Sequence, residues 1–125
     1  MIAYSTVGVN DMERAIRFYD AAFAPLGAVR DTTSPTWTGY SRSGDRGKFF
    51  LTRPFDRSEA THGNGTMLAF LAEDRAAIDA FHAAALSEGG IDEGPPGIRE
   101  GMNPVFYAAY VRDPDGNKLC AFVRK

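Results

Sequence analysis

Side chains able to do covalent or acid–base work are sparse in this sequence. Cys120 is the only cysteine, and it stands in an apolar segment just after the turn residues Asp113-Pro114-Asp115-Gly116. A nucleophilic thiolate needs a base or a positive field to lower its pKa. No histidine lies beside Cys120 in the chain, so an inert, buried thiol is the expected state. Of the two histidines, His62 falls in a polar stretch, either on the rim of a cavity or in a solvated loop. His82 lies one step off the apolar stripe of a helical segment and reads as a surface or boundary residue. Arg99, Glu100 and Asn103 offer polar groups just before a segment carrying Tyr107 and Tyr110, and Arg99 reads either as a solvated loop residue or as a group for a ligand. Trp37 and Tyr40, set among Thr and Ser, read as an aromatic strand face fit for packing or for stacking a ligand.

Several common chemistries are absent as motifs. The sequence has no G-x-S-x-G elbow, no phosphate loop, no dinucleotide fingerprint and no H-E-x-x-H pair. Its 125 residues fit one domain, with 44% hydrophobic and 24% charged residues and a net charge of −2. Arg42, Arg46, Lys48, Arg53 and Arg57 are spread among Gly, Phe and Asp, which is not the basic stripe of a nucleic-acid surface. No stretch approaches the roughly 18 apolar residues of a spanning helix, so no membrane partner is expected. A single cysteine rules out an internal disulfide framework, and a reducing cytoplasm is the expected compartment.

The elements that must position these residues follow from periodicity. "AYSTVGV" (3–9) reads as a strand, and Asn10 with Glu13 forms a capping box for a helix. That helix carries Met12, Ile16, Tyr19, Phe23 and Leu26 on one stripe and ends at Pro25 and Gly27. Three short strands follow at 28–32, 36–42 and 48–54, the last two joined by the hairpin signal "SGDRG". After a polar loop at 55–64 the order repeats: a strand at 65–72, a helix capped at Glu73 or Asp74, and strands at 90–94, 104–112 and 117–123. At one constant offset Ile16 meets Ile78, Tyr19 meets Phe81, Ala22 meets Ala84 and Gly27 meets Gly89. The reading is an α+β chain of two βαβββ modules, 1–54 and 65–125, joined through 55–64 into one compact domain. The "DPDG" turn has a mechanical role, and its geometry sets Tyr110 opposite Cys120 and Ala108 opposite Phe122.

The segments "VNDMERAIRFYDAAFAPLG" (9–27), "GNGTMLAFLAEDRAAIDAFHAAALSEGG" (63–90) and "YAAYVRDPDGNKLCAF" (107–122) resemble the vicinal oxygen chelate superfamily. That superfamily includes glyoxalase I, bleomycin-resistance proteins and extradiol dioxygenases. The resemblance implies that the two modules form a curved sheet around a cavity, and that the chain pairs as a homodimer. In many such proteins His and Glu side chains hold a divalent metal that binds two neighbouring substrate oxygens. Carried over position by position, those ligand sites fall on Tyr4, Phe50, Met67 and Cys120. A phenol, a phenyl ring, a thioether and one thiol are a poor set for a hard divalent ion, so no metal or other cofactor is expected.

The resemblance therefore implies a glyoxalase/bleomycin-resistance-like protein that binds a small organic molecule in its cavity. The expected lining is Tyr4, Trp37, Phe50, Met67, Arg99, Tyr107, Tyr110 and Cys120, mostly apolar with a few orienting polar groups. No catalytic residue is assigned. The alternative is a glyoxalase-like lyase or isomerase related to lactoylglutathione lyase, or a dioxygenase-related enzyme, with acid–base chemistry through Tyr4, Tyr110 or Glu100.

Overall fold

The computed structural model describes residues 1–101 and 105–125, so the expectation for Asn103 lies outside the described residues. The first module runs β1 (Tyr4–Gly8), α1 (Met12–Phe23) with a 3-10 turn at Ala24–Leu26, β2 (Val29–Thr33), β3 (Trp37–Ser41) and β4 (Lys48–Thr52). The second runs β5 (Leu68–Leu71), α2 (Arg75–Ser87), β6 (Ile91–Ile98), β7 (Phe106–Arg112) and β8 (Lys118–Arg124). Each set of four strands forms its own sheet, in the orders β1-β4-β3-β2 and β5-β8-β7-β6. The first strand of each module pairs parallel to the last, and the other pairings are antiparallel. The repeat in the sequence is thus a repeat of topology. Gly27 and Gly89 both hold positive φ after their helices, at 78° and 90°.

Local boundaries depart from the sequence reading where side chains found other work. The cap of α1 is Asp11, one residue later than expected, with its carboxylate accepting from the Arg14 amide. Asn10 instead pins the inter-module loop, accepting from the Ala60 amide and donating to its carbonyl. The strand expected at 65–72 begins at Leu68, because the Thr66 amide closes a turn onto the Gly63 carbonyl. Strand β6 runs beyond 94, through Pro95 and Pro96. It is an edge strand whose register against β7 shifts twice, so the prolines sit where no ladder N–H is required.

One core serves both modules. Both helices lie between the sheets, α1 against α2, and α2 also packs on β6, β7 and β8. Phe18, Tyr19, Phe23, Ile78 and Phe81 meet Leu51 and Phe49 of one sheet and Val111, Leu119 and Ala121 of the other. Phe70 of β5 packs edge-on against Phe23 and Phe49, with ring centroids at 5.0 and 5.5 Å, joining the modules by aromatic contact. Arg42 adds a polar clasp, donating through Nη1 to the carbonyls of Leu26 and Leu71.

The "DPDG" turn closes this core. Tyr110 stands opposite Cys120 and Ala108 opposite Phe122, as the sequence geometry required. Gly116 takes φ of 90°, and Asp113 accepts from the Asp115 and Asn117 amides. The other Asp113 oxygen accepts from the Asn117 side chain at 2.9 Å and from the Tyr19 hydroxyl of α1 at 2.6 Å. Asn117 also donates to the Gly8 carbonyl, and Asp115 accepts from the Asn10 amide and Arg14. The turn of one module thereby grips the strand–helix junction of the other. Burial pushes the Tyr19 phenol well above its ordinary pKa, with Asp113 adding to the shift, so Tyr19 remains a donor. Tyr19→Phe removes that donor from a buried carboxylate and should cost about 1–3 kcal/mol in urea unfolding, with an unchanged denaturant slope.

Candidate functional site

Strand alternation gives each sheet one face on the helices and one open face. In the first sheet Thr38, Tyr40, Phe49 and Leu51 point inward, while Trp37, Gly39, Lys48, Phe50 and Thr52 point outward with Tyr4 and Thr6 of β1. Trp37 and Tyr40 therefore do not share a face as the sequence reading had them. Three residues apart on a strand, they lie on opposite sides, and Tyr40 donates to Asp20 beneath the sheet. Phe50 is the centre of the open face. Its ring meets Tyr4 edge-on at 5.5 Å and Trp37 at 4.8 Å with a 31° tilt. Gly39 makes this possible, since a Cβ there would stand 2.5 Å from Phe50 Cε1.

Charge on this face is arranged around the rings. Lys48 Nζ lies 5.3 Å from the Phe50 centroid and 3.1 Å from Asp31. The Ser41 hydroxyl, and after it Lys48 and Thr32, hold Asp31 below the usual carboxylate range. Beside Tyr4 and Trp37 opens a cavity of about 600 Å³, whose wall continues into Arg53, Phe55 and Arg57. The sequence reading treated these three as dispersed charge and connecting loop. Their every-second-residue spacing, directly after β4, was the available signal.

The open face of the second sheet carries Ala108, Tyr110, Cys120 and Phe122. Cys120 is 1% exposed, and Tyr110 covers it. Burial raises the Cys120 thiol above its ordinary pKa, against the opposing pull of Tyr110, Arg99 and Lys118. Burial first, and Cys120 after it, raises the Tyr110 phenol in turn. Arg99 lies 4.9 Å and Lys118 5.7 Å from the Tyr110 ring centroid. Arg99 fills the β6 bulge, its Nη2 donating to the carbonyls of Gly94, Pro95 and Ala108. Its buried Nε has no partner among the described residues.

The eight expected lining residues thus fall into four places. Tyr4, Trp37 and Phe50 come together on the first sheet, and Arg99, Tyr110 and Cys120 on the second. Met67 lies just before β5, 41% exposed, in a separate hollow with Lys118 and Arg112. Tyr107 faces the other way, three residues from Tyr110, where it donates to Asp79 of α2. His62 rests against Gly116 of the turn. His82 is not the surface or boundary residue expected from its place beside the stripe. It is buried, and its Nε2 stands 2.9 Å from Asp92 Oδ1, joining α2 to β6.

The family model for the Glyoxalase/Bleomycin resistance protein/Dioxygenase superfamily matches residues 1–121. The chain belongs to that superfamily. A glyoxalase/bleomycin resistance protein from Albidiferax ferrireducens T118 is 42% identical and superposes with a TM-score of 0.90, over 100% of this chain and 99% of that one. Two more distant structures share the fold. A lactoylglutathione lyase from Agrobacterium tumefaciens is 21% identical, with a TM-score of 0.68 over 98% of this chain and 92% of its own. The antibiotic binding protein TnmS3 from Streptomyces sp. CB03234 is 23% identical, with a TM-score of 0.64 over 97% and 93%. No curated protein matches the chain.

In this superfamily member the positions that resemblance assigns to metal ligands carry Tyr4 and Phe50 of the first sheet, Cys120 of the second, and Met67 just before β5. Among the described residues no three His, Cys, Asp or Glu side chains stand together as a metal site. Phenyl and thioether groups do not coordinate hard divalent ions, and the one thiol is held protonated by burial, so this donor set does not fit such an ion. Cys120 should also be a poor nucleophile. Its alkylation by iodoacetamide at pH 8 is expected to run at least about tenfold slower in the native protein than in urea, with the native rate rising at higher pH than that of the unfolded chain.

Proposed function

We propose that this superfamily member is a binding protein that takes up a small aromatic or amphipathic molecule without a metal. The observation that carries this reading is the Tyr4–Phe50–Trp37 cluster, set on an open sheet face beside a cavity of about 600 Å³. Tyr4 is 57% exposed there, which is unusual for a ring already seated against another. A flat ligand would gain stacking and apolar burial from three rings that are held in place before it arrives. The shared fold of TnmS3, an antibiotic binding protein, is a precedent for binding on this scaffold.

The reading includes a homodimer. The two open faces belong to sheets that do not pair with each other, and β1 and β5 are edge strands. Leu71 of β5 and Met67 just before it are exposed beside one of those edges. A second copy that sets its β5 along β1 would bring Tyr110, Cys120 and Arg99 opposite Tyr4 and Phe50 and enclose the ligand. Sedimentation velocity should give a dimer, and Leu71→Arg should shift it to monomer.

Calorimetric titration with 2-naphthol should give saturable binding that EDTA leaves unchanged. Phe50→Ala should weaken it about tenfold, the loss of roughly one ring contact and its buried area. One tightly held metal per chain in elemental analysis would overturn the reading. So would turnover of the methylglyoxal–glutathione hemithioacetal after addition of nickel or zinc.

A further inference from the structure

We infer that Arg53, Phe55 and Arg57 form an anion-selecting wall of the aromatic cavity, so that its ligand is a flat aromatic acid rather than a neutral or cationic ring. The inference rests on the binding reading above and narrows it to a chemical class. All three residues line the cavity that Tyr4 and Trp37 also line. Arg53 follows β4 directly, and Arg57 is reached through a turn closed by its own amide on the Pro54 carbonyl at 3.0 Å.

The two guanidinium groups differ from most others in the chain. Arg14, Arg30, Arg42 and Arg112 each hold a carboxylate, and Arg99 holds three carbonyls. The Arg53 and Arg57 side chains have no hydrogen bond or ion pair among the described residues. Asp56, the acid between them, accepts from the Ser58 amide instead. Asp31, the carboxylate on the same sheet face, is already matched by Lys48. Two unmatched cations therefore line one aromatic cavity, and no acid is among the residues that line it.

Two features of the turn run against folding stability alone. Phe55 is fully exposed, leaving unused the roughly 1.5–3 kcal/mol that burying such a ring provides. Arg57 is the one non-glycine residue among those described with positive φ, at 64°, a conformation that disfavours a side chain bearing Cβ. Both are accounted for if the turn serves a ligand: Phe55 supplies a further ring, and the arginines meet a carboxylate at the ring's edge. Guanidinium recognises a carboxylate through paired, charge-assisted hydrogen bonds, which fixes orientation as well as adding affinity.

The test compares two probes of nearly equal shape, 2-naphthoate and neutral 2-naphthamide, by calorimetry with the full-length chain. Wild type should bind the naphthoate at least about tenfold more tightly, and the preference should shrink between 50 mM and 500 mM NaCl, roughly the range over which screening becomes strong. Arg53→Gln with Arg57→Gln should abolish the preference, with the loss of affinity for naphthoate at least about fivefold greater than that for naphthamide and the thermal midpoint unchanged. Equal binding of the two probes by wild type, or a preference that survives the double substitution, would overturn this inference and leave the binding reading standing. Failure of both probes to bind wild type would overturn the two together.

Discussion

Asp113 is almost fully withdrawn from water, and a carboxylate in that position is tolerable only because four donors converge on it. Three come from its own hairpin, which any well-formed turn of this type can supply. The fourth, the Tyr19 hydroxyl, comes from the helix of the other module, so the turn is fully satisfied only when the two halves are docked. Asn117 and Asp115 repeat the same logic at the Gly8 carbonyl and the Asn10 amide. Docking is therefore read out by polar groups that cannot be left unpaired, while the apolar area between the helices supplies most of the driving force.

That docking decides which side chains the sheets leave facing outward. With both helices between the sheets, each strand's inward residues are consumed by one shared core and its outward residues are released. The first sheet releases three aromatic rings, and the second releases a phenol over a buried thiol. Asp31 on the first open face is already held by Lys48 and Ser41, and among the described residues no three His, Cys, Asp or Glu side chains stand together as a metal site. The proposed binding role follows from what the open faces hold: apolar area, a few fixed polar groups and two cations in the cavity wall.

Much of this was legible in the sequence because it depends on periodicity. The helices, the order of the strands, the offset linking Tyr19 to Phe81, and the Tyr110–Cys120 pairing all follow from spacing and turn chemistry. What was not legible depends on contacts distant in sequence. Asn10 gives up the cap to Asp11 because Ala60, fifty residues away, needs its side chain. His82 is buried because Asp92 on the next strand meets it. The prolines of β6 look like a loop until the register shifts that accommodate them are seen. Strand parity was legible in principle, and it separates Trp37 from Tyr40 and Tyr107 from Tyr110, yet aromatic clustering obscured it. Arg53, Phe55 and Arg57 were hidden for a different reason: their every-second-residue spacing runs on past the end of β4, and spacing alone does not say which wall such a stretch completes.

The ring of Phe50 lies directly over the bare backbone of Gly39, closer than any Cβ would permit. In terms of descent, the two positions form a single unit of variation across neighbouring strands. A side chain at 39 can be inherited only with a smaller residue or a displaced ring at 50, and a broad ring at 50 only with glycine at 39. Relatives sorted by the residue at this one position would thereby be sorted by the contour of the face they offer to a ligand, before anything is known of the ligand itself.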